Sequence, residues 1–313
     1  GQSSYFVWLN RGKESVALDL ASPKGKTELD RLIANADVVV QNLKPGAFAR
    51  LGFAPETLRE RHPHLIVCSI SGYGETGPMA DRKAYDLLVQ AESGLASVTG
   101  SPAEAARVGI SIVDIATGAT AHAAILEALI SRHINHQGAD IRISMFDVIA
   151  DWLTVPLLHH EGGKPPARLG LSHPSIAPYG VFKTKDGEQL LLSIQSDREW
   201  RNFTRIFLND ASCGNDPRFS TNVERVRNRE ETDALVAAAF AQMTTGEAEE
   251  RLLAADTAYA KMNDMAALAD HPHLRRIIVD TEHGPVAIPA PAPIVTGQDR
   301  CYGAVPKLGG PES

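Results

Sequence analysis

Residues 36–70 read ADVVVQNLKPGAFARLGFAPETLRERHPHLIVCSI, and this stretch decides the fold class. Two apolar runs, DVVVQ over 37–41 and LIVCSI over 65–70, are rich in β-branched residues, and each predicts a short buried strand. Between them PETLRERH has a helical pattern, opened by Pro55 at a position where its missing N–H costs nothing. Strand, helix, strand is the unit of a parallel sheet, because parallel neighbours need a crossover connection of about a dozen residues or more. Working outward toward the N-terminus, SVALDL over 15–20 predicts another strand and TELDRLIANA a helix, with Ser22-Pro23 as its start signal. The expectation is an α/β fold whose large domain is a doubly wound, Rossmann-like parallel sheet.

Working outward in the other direction, residues 107–130 read RVGISIVDIATGATAHAAILEALI. Ile110, Ile112 and Val113 predict a strand that delivers Asp114 to the start of a small-residue helix over 116–132. A carboxylate there meets the positive end of the helix dipole, and read alone it is a helix cap. A helix is also expected over 85–97, and a strand running into a helix over 142–160. Glycine and proline then punctuate 161–180 as a linker, and Asp186-Gly187 marks the turn of a hairpin over 180–194. Helices follow at REWRNFTRIFL and REETDALVAAAFAQM, whereas GPVAIPAPAPIV has too much proline for a central strand and reads as extended chain. This organisation predicts a large domain over 1–165, closed by 281–313, and a smaller α+β domain over 175–280.

The chain has 313 residues, a net charge of −7 and 43% hydrophobic residues, an ordinary balance for a soluble enzyme. No basic run with interleaved aromatics points to nucleic acid. Cys68, Cys213 and Cys301 are scattered and fit a reducing cytoplasm, with Cys68 as a core thiol. No stretch approaches 18 consecutive apolar residues and no signal peptide is evident, so a cytoplasmic protein without a membrane partner is expected. His159 and His160 are adjacent on a helical pattern, so their side chains diverge by about 100° and hold no metal together.

Several segments in order carry a resemblance: NRGKESVALDL (10–20), ADVVVQNLKPGAFARLG (36–52), SISGYGETGP (69–78), KAYDLLVQAESGL (83–95) and VDIATG (113–118). YAKMNDMAALADHPHLRR (259–276) and YGAVPKLG (302–309) extend it. The chain resembles the family III CoA-transferases of the formyl-CoA and carnitine-CoA transferase type, from Tyr5 to Gly309. The resemblance implies that Asp114 is a nucleophile reacting through aspartyl anhydride and aspartyl-CoA thioester intermediates, with coenzyme A as substrate and no metal. It places Asn42, Leu43, Lys44 and Arg50 around the CoA nucleotide, Lys83 near its phosphates, and Tyr85 and Asp86 beside the reactive aspartate. Gln90, one helical turn after Asp86, falls on the same face as a polar site contact. An interlocked homodimer is implied as well.

The segment from PLLHHEGG to SIAPYG looks like relatives acting on short dicarboxylates such as mesaconate, itaconate or malate, with Arg168 and His173 supplying charge for a distal carboxylate. Gly162, Gly163 and Gly170 resemble a flexible segment that covers the site in some members. The family normally begins with a further strand–helix–strand unit before the position of Tyr5, and a sheet without it would carry an uncovered edge. Two rival activities are an α-methylacyl-CoA racemase and a CoA-binding protein without turnover. The racemase needs a histidine just before the aspartate of the 86 segment; this chain has Tyr85, a poor base near neutral pH with a reference pKa of about 10.

Overall fold

The structure, a computed structural model, describes residues 3–309. Two compact units emerge, one built from the chain up to Ala36 and from Asn263 onward, the other from Asp37–Met262. The first opens with α1 (Ser4–Leu9) and α2 (Pro23–Ala34). Ser22 caps α2 by accepting the Gly25 N–H, with Pro23 at the first helical position, as its sequence predicts. The run 15–20 is not a strand: it is irregular, and Val16 is exposed. β-branched side chains favour a strand only where a neighbour completes the ladder, and no described strand pairs with this run.

In the second unit, β1 (Val38–Gln41), α4 (Pro55–Arg61) and β2 (Ile66–Ser71) follow in the order expected, with a short unforeseen helix, α3 (Ala47–Arg50), between β1 and α4. The helix foreseen over 85–97 is broken by Gly94, which takes φ +89°, into α5 (Asp86–Glu92) and α6 (Leu95–Val98). Next come α7 (Ile112–Asn135), β3 (Asp140–Ser144), α8 (Met145–Trp152) and α9 (Thr154–Glu161). The three strands form a parallel sheet in the order β1-β2-β3, with Val67 opposite both Val39 and Asp140. β2 is central, and Ile66, Val67 and Cys68 are fully buried; on the edge strand Val40 is 55% exposed. Cys68 packs with Val89, Val113, Ala116 and Ile143, so it is the core thiol its context suggests.

The predicted strand through Ile110–Val113 is absent, because helix α7 already begins at Ile112. The amide of Val113 goes to a side-chain carboxylate and not to a strand neighbour, which ends any ladder there. α7 is long and apolar enough to cross a bilayer by length and composition. Its buried residues, including Ala116 and Ala121, belong to the core formed with β2, β3 and α8.

Beyond the glycine- and proline-rich segment lies a second sheet of β4 (Tyr179–Lys183), β5 (Gln189–Ser193) and β6 (Ala258–Lys261), antiparallel throughout. Gly187 takes φ +94° in the β4–β5 turn, as the Asp-Gly signal predicts. Helices α10 (Asp197–Ile206), α12 (Arg229–Phe240) and α13 (Thr245–Ala254) share a core with this sheet, and α11 (Asn222–Arg227) lies against α12. Trp200, Phe203 and Phe207 recur at helical spacing and run into Phe240 and Phe182 as a chain of aromatic contacts 4.7–5.8 Å apart. This core shares no residue with the cluster around Cys68.

The first unit is completed by α14 (Met265–Ala269) and the hairpin β7 (Arg276–Thr281) and β8 (Gly284–Pro289). The proline-rich tail is thus partly a strand, but one of a two-stranded hairpin and not a central strand. Pro285 and Pro289 share one parity, alternate to Ala290, whose N–H bonds Arg275. The prolines therefore sit where no ladder donor is required. Val279, Ile288 and Val305 form a small core with Phe6 and Val7, and the Gly12 N–H bonds the Ala304 carbonyl.

Candidate active site

The carboxyl ends of all three parallel strands open onto one cleft of about 990 Å³. β1 runs into Asn42, Leu43, Lys44 and Pro45; β2 ends in Ser71 and Gly72; β3 hands over to Met145. Parallel strands present ligand sites at these ends because their loops, freed from the ladder, diverge there. Gly46, at φ +73°, turns the first loop into α3, and a Cβ there would lie 3.0 Å from the Arg50 guanidinium. The glycine lets Arg50 fold back over its own loop and line the cleft.

The opposite wall is the segment 80–87. Gly72 packs so tightly on it that a Cβ would come within 2.1 Å of the Ala84 Cβ. Lys83, Tyr85 and Asp86 line the cleft, and Tyr85 is 66% exposed. Asp114, in the first turn of α7, lies on the same cleft with Thr117 and Gly118. Of the residues expected at the site, Asp114, Asn42, Leu43, Lys44, Arg50, Lys83, Tyr85 and Asp86 are thus brought together.

Gln90 is not on the cleft wall. It is fully buried, its Nε2 donates to Asp86 Oδ1 at 2.6 Å, and its Oε1 accepts the Val108 N–H at 2.9 Å. Arg168 and His173 also lie off the cleft. The Arg168 guanidinium donates to the carbonyls of Ser97 and Ser101, and His173 stacks on Tyr179 at 5.3 Å. Two cations that sequence reasoning passed over, Arg82 and Arg107, do line it. Arg82 adjoins Lys83 and was legible as a basic pair; Arg107 sits in irregular chain that carries no pattern.

Asp114 is not the cap of its helix. Ser111 occupies the N-cap position without a side-chain capping bond, and the free N–H groups of Val113 and Asp114 donate to Asp86 Oδ2 at 2.8 and 3.2 Å. The capping acceptor therefore comes from α5, and among the described residues nothing donates a hydrogen bond to the Asp114 carboxylate. Asp114 is exposed at the cleft, yet partial desolvation by its walls, and then the neighbouring Asp86 charge, push its carboxyl above the ordinary value. Lys44, Arg50, Arg82, Lys83 and Arg107 form no ion pair with a described residue. In a chain of net charge −7 they leave the cleft with five cations against Asp81, Asp86 and Asp114, a local field that attracts anions.

The sequence profile of CoA-transferase family III matches residues 1–311. An acyl-CoA transferase of Fusarium pseudograminearum is 38% identical over 282 residues, covering 89% of this chain and 61% of that protein. A succinate–glutarate CoA-transferase of Agrobacterium fabrum is 38% identical over 236 residues, covering 75% of this chain and 58% of that protein. The chain thus spans about three fifths of the length of these curated relatives. The crystal structure of a CAIB/BAIF family protein from Brucella suis has a TM-score of 0.83 at 31% identity, covering 98% of this chain and 82% of that one. Sequence profile, relatives and fold agree over nearly the whole chain, which belongs to CoA-transferase family III.

Proposed function

We propose that this protein moves coenzyme A from an acyl-CoA donor to a carboxylic acid acceptor, with Asp114 as the catalytic nucleophile. The observation that carries the reading is the Asp114 carboxylate itself. It faces a cation-rich cleft, accepts no hydrogen bond from the described residues, and has its helix-capping duty performed by Asp86. A carboxylate used only for structure would be tied into its own helix start.

In the proposed reaction an Asp114 oxygen attacks the thioester carbon, the carbon–sulfur bond breaks, and a mixed anhydride and CoA thiolate result. The thiolate attacks the Asp114 acyl carbon, releasing the donor acid and leaving an aspartyl-CoA thioester. The acceptor carboxylate attacks that thioester, giving a second anhydride and the thiolate. Attack of the thiolate on the acceptor acyl carbon yields the new acyl-CoA and the free aspartate. Thioester energy is carried through every step, so the chemistry calls for neither ATP nor a metal.

Asn42, Leu43, Lys44, Arg50, Lys83 and Tyr85 are proposed to hold coenzyme A, the cations meeting its phosphates. The acceptor is proposed to be a short dicarboxylate, a reading supported by the succinate and glutarate in the name of the Agrobacterium relative. With Arg168 engaged by backbone carbonyls, Arg107 and Arg82 are the cleft cations offered to its distal carboxylate.

We place the enzyme in the cytoplasm as an interlocked homodimer; the exposed stripe of Leu126, Ile130 and Ile134 on α7 supports a partner surface. Its large domain is proposed to run over 1–165 with 281–313 and its small domain over 175–280, a division supported by the separate cores around Cys68 and Trp200.

The test is mass spectrometry after incubation with an acyl-CoA. A CoA or acyl adduct on the peptide carrying Asp114, absent from Asp114→Asn, is expected. Transfer that survives in Asp114→Asn would sink the reading.

A further inference from the structure

Gln90 touches no surface of the cleft, yet its carboxamide stands in the middle of a continuous chain of hydrogen bonds that ends on Asp114. The Val108 N–H donates to Gln90 Oε1 at 2.9 Å, and Gln90 Nε2 donates to Asp86 Oδ1 at 2.6 Å. Asp86 Oδ2 accepts the N–H groups of Val113 and Asp114. Both ends of the carboxamide are committed. A flip would set its NH₂ against the Val108 N–H and its oxygen against the Asp86 carboxylate, so one orientation is enforced.

Two consequences separate this arrangement from an ordinary strut between helices. First, Gln90 grips one Asp86 oxygen while the other holds the first turn of α7, so the carboxylate cannot rotate away from the backbone of Asp114. Second, the grip is neutral. A lysine or arginine in place of Gln90 would hold Asp86 equally well but would quench its charge, and that charge stands beside the Asp114 carboxylate. The same carboxamide also fixes Val108, whose neighbour Arg107 lines the cleft.

We propose that Gln90 is a positioning residue for the reaction at Asp114, acting through Asp86 and making no contact with substrate. The inference rests on the transferase reading. Gln90→Met, similar in length and apolar, removes both bonds. Expected are faster hydrogen exchange at the Val113 and Asp114 amides and a fall in kcat of roughly ten- to a hundredfold, the scale of a small misplacement of a reacting group. The KM for acyl-CoA should stay within about twofold, because no ligand contact is lost.

Gln90→Glu keeps an acceptor for Val108 but sets a second carboxyl against Asp86; it should lower kcat with the same unmoved KM, and it serves if Gln90→Met folds poorly. Unchanged amide exchange overturns the inference, as does faster exchange with kcat per folded molecule unchanged. A rise in KM matching the fall in kcat would make Gln90 a substrate contact and overturns it too. A wild-type protein that forms no Asp114 adduct sinks the transferase reading and this inference with it, whereas an adduct formed equally fast by wild type and Gln90→Met sinks the inference alone.

Discussion

Gly72 and Ala84 pack against each other in the lining of the cleft with no room for one more carbon: a Cβ on Gly72 would fall 2.1 Å from the Ala84 Cβ. Gly72 follows β2, and Ala84 stands two residues before Asp86, so this contact joins the sheet to the wall that caps α7. Gly72→Ala is expected to cost about 1–3 kcal/mol, the range for forcing a methyl into a packed site. It should also impair transfer beyond the loss of folded protein, because the displaced segment carries Tyr85 and Asp86. Thermal unfolding together with kcat per folded molecule checks both; normal stability with full activity would contradict the tight packing.

As the proposed nucleophile, Asp114 should set the acid side of the pH profile. Its carboxyl is held above the ordinary aspartate value, about 3.9 in unstructured chains, by partial desolvation and then by Asp86. The nucleophile must be ionised, so kcat/KM should fall as pH drops through this raised value, with its midpoint above that of a free aspartate. The sign for stability is opposite. The folded state binds the Asp114 proton more tightly than the unfolded chain, so stability declines as pH rises from the unfolded value through the raised one. Asp114→Asn should lack that decline, and denaturant titrations of both proteins across this window measure the difference.

Arg50 and Arg107 should separate the two substrates. Hydrogen bonds to charged groups contribute roughly 1.5–3 kcal/mol, so losing one CoA phosphate contact in Arg50→Ala should weaken acyl-CoA about ten- to a hundredfold. The acceptor constant should hardly move. Arg107→Ala is expected to do the reverse, raising KM for a dicarboxylate acceptor while a monocarboxylate of similar size is unaffected. Equal effects of either substitution on donor and acceptor would place both arginines outside the roles given to them.

Incubation in heavy water distinguishes transfer from racemisation. A racemase exchanges the α-proton of its substrate with solvent, and with Tyr85 before Asp86 this chain lacks the expected second base. A branched acyl-CoA should therefore keep its α-hydrogen while CoA passes to an added carboxylate. Deuterium at the α-carbon without CoA transfer would favour the racemase.

Local signals were legible and long-range ones were not. β1 and β2 announced themselves through β-branched runs between turn formers, and the Asp186-Gly187 turn through its dipeptide. SVALDL carried the same kind of run, but whether it joins a ladder depends on chain far from it in sequence. Ile110–Val113 misled for a related reason: Asp86, 27 residues upstream of Val113, takes the Val113 N–H and commits the segment to helix. The candidate site residues Asp114, Asn42 and Arg50 were found through family resemblance; only Asn42 stands in the loop just after a strand, whereas Arg50 ends α3 and Asp114 lies in the first turn of α7. Arg168 drew attention as a free cation because sequence cannot reveal that the carbonyls of Ser97 and Ser101 occupy it.

The division of labour between Asp86 and Asp114 has a consequence over the whole cycle. In the proposed reaction every covalent intermediate on Asp114 is an anhydride or a thioester, and both are uncharged. Had Asp114 been the cap of α7, each turnover would strip the helix of an anchor worth about 1 kcal/mol and restore it at product release. Because Asp86 holds that anchor, the scaffold would experience the empty, acylated and thioesterified enzyme of the proposed cycle as nearly the same object. The reacting group changes its chemistry repeatedly while the frame that aims it stays still.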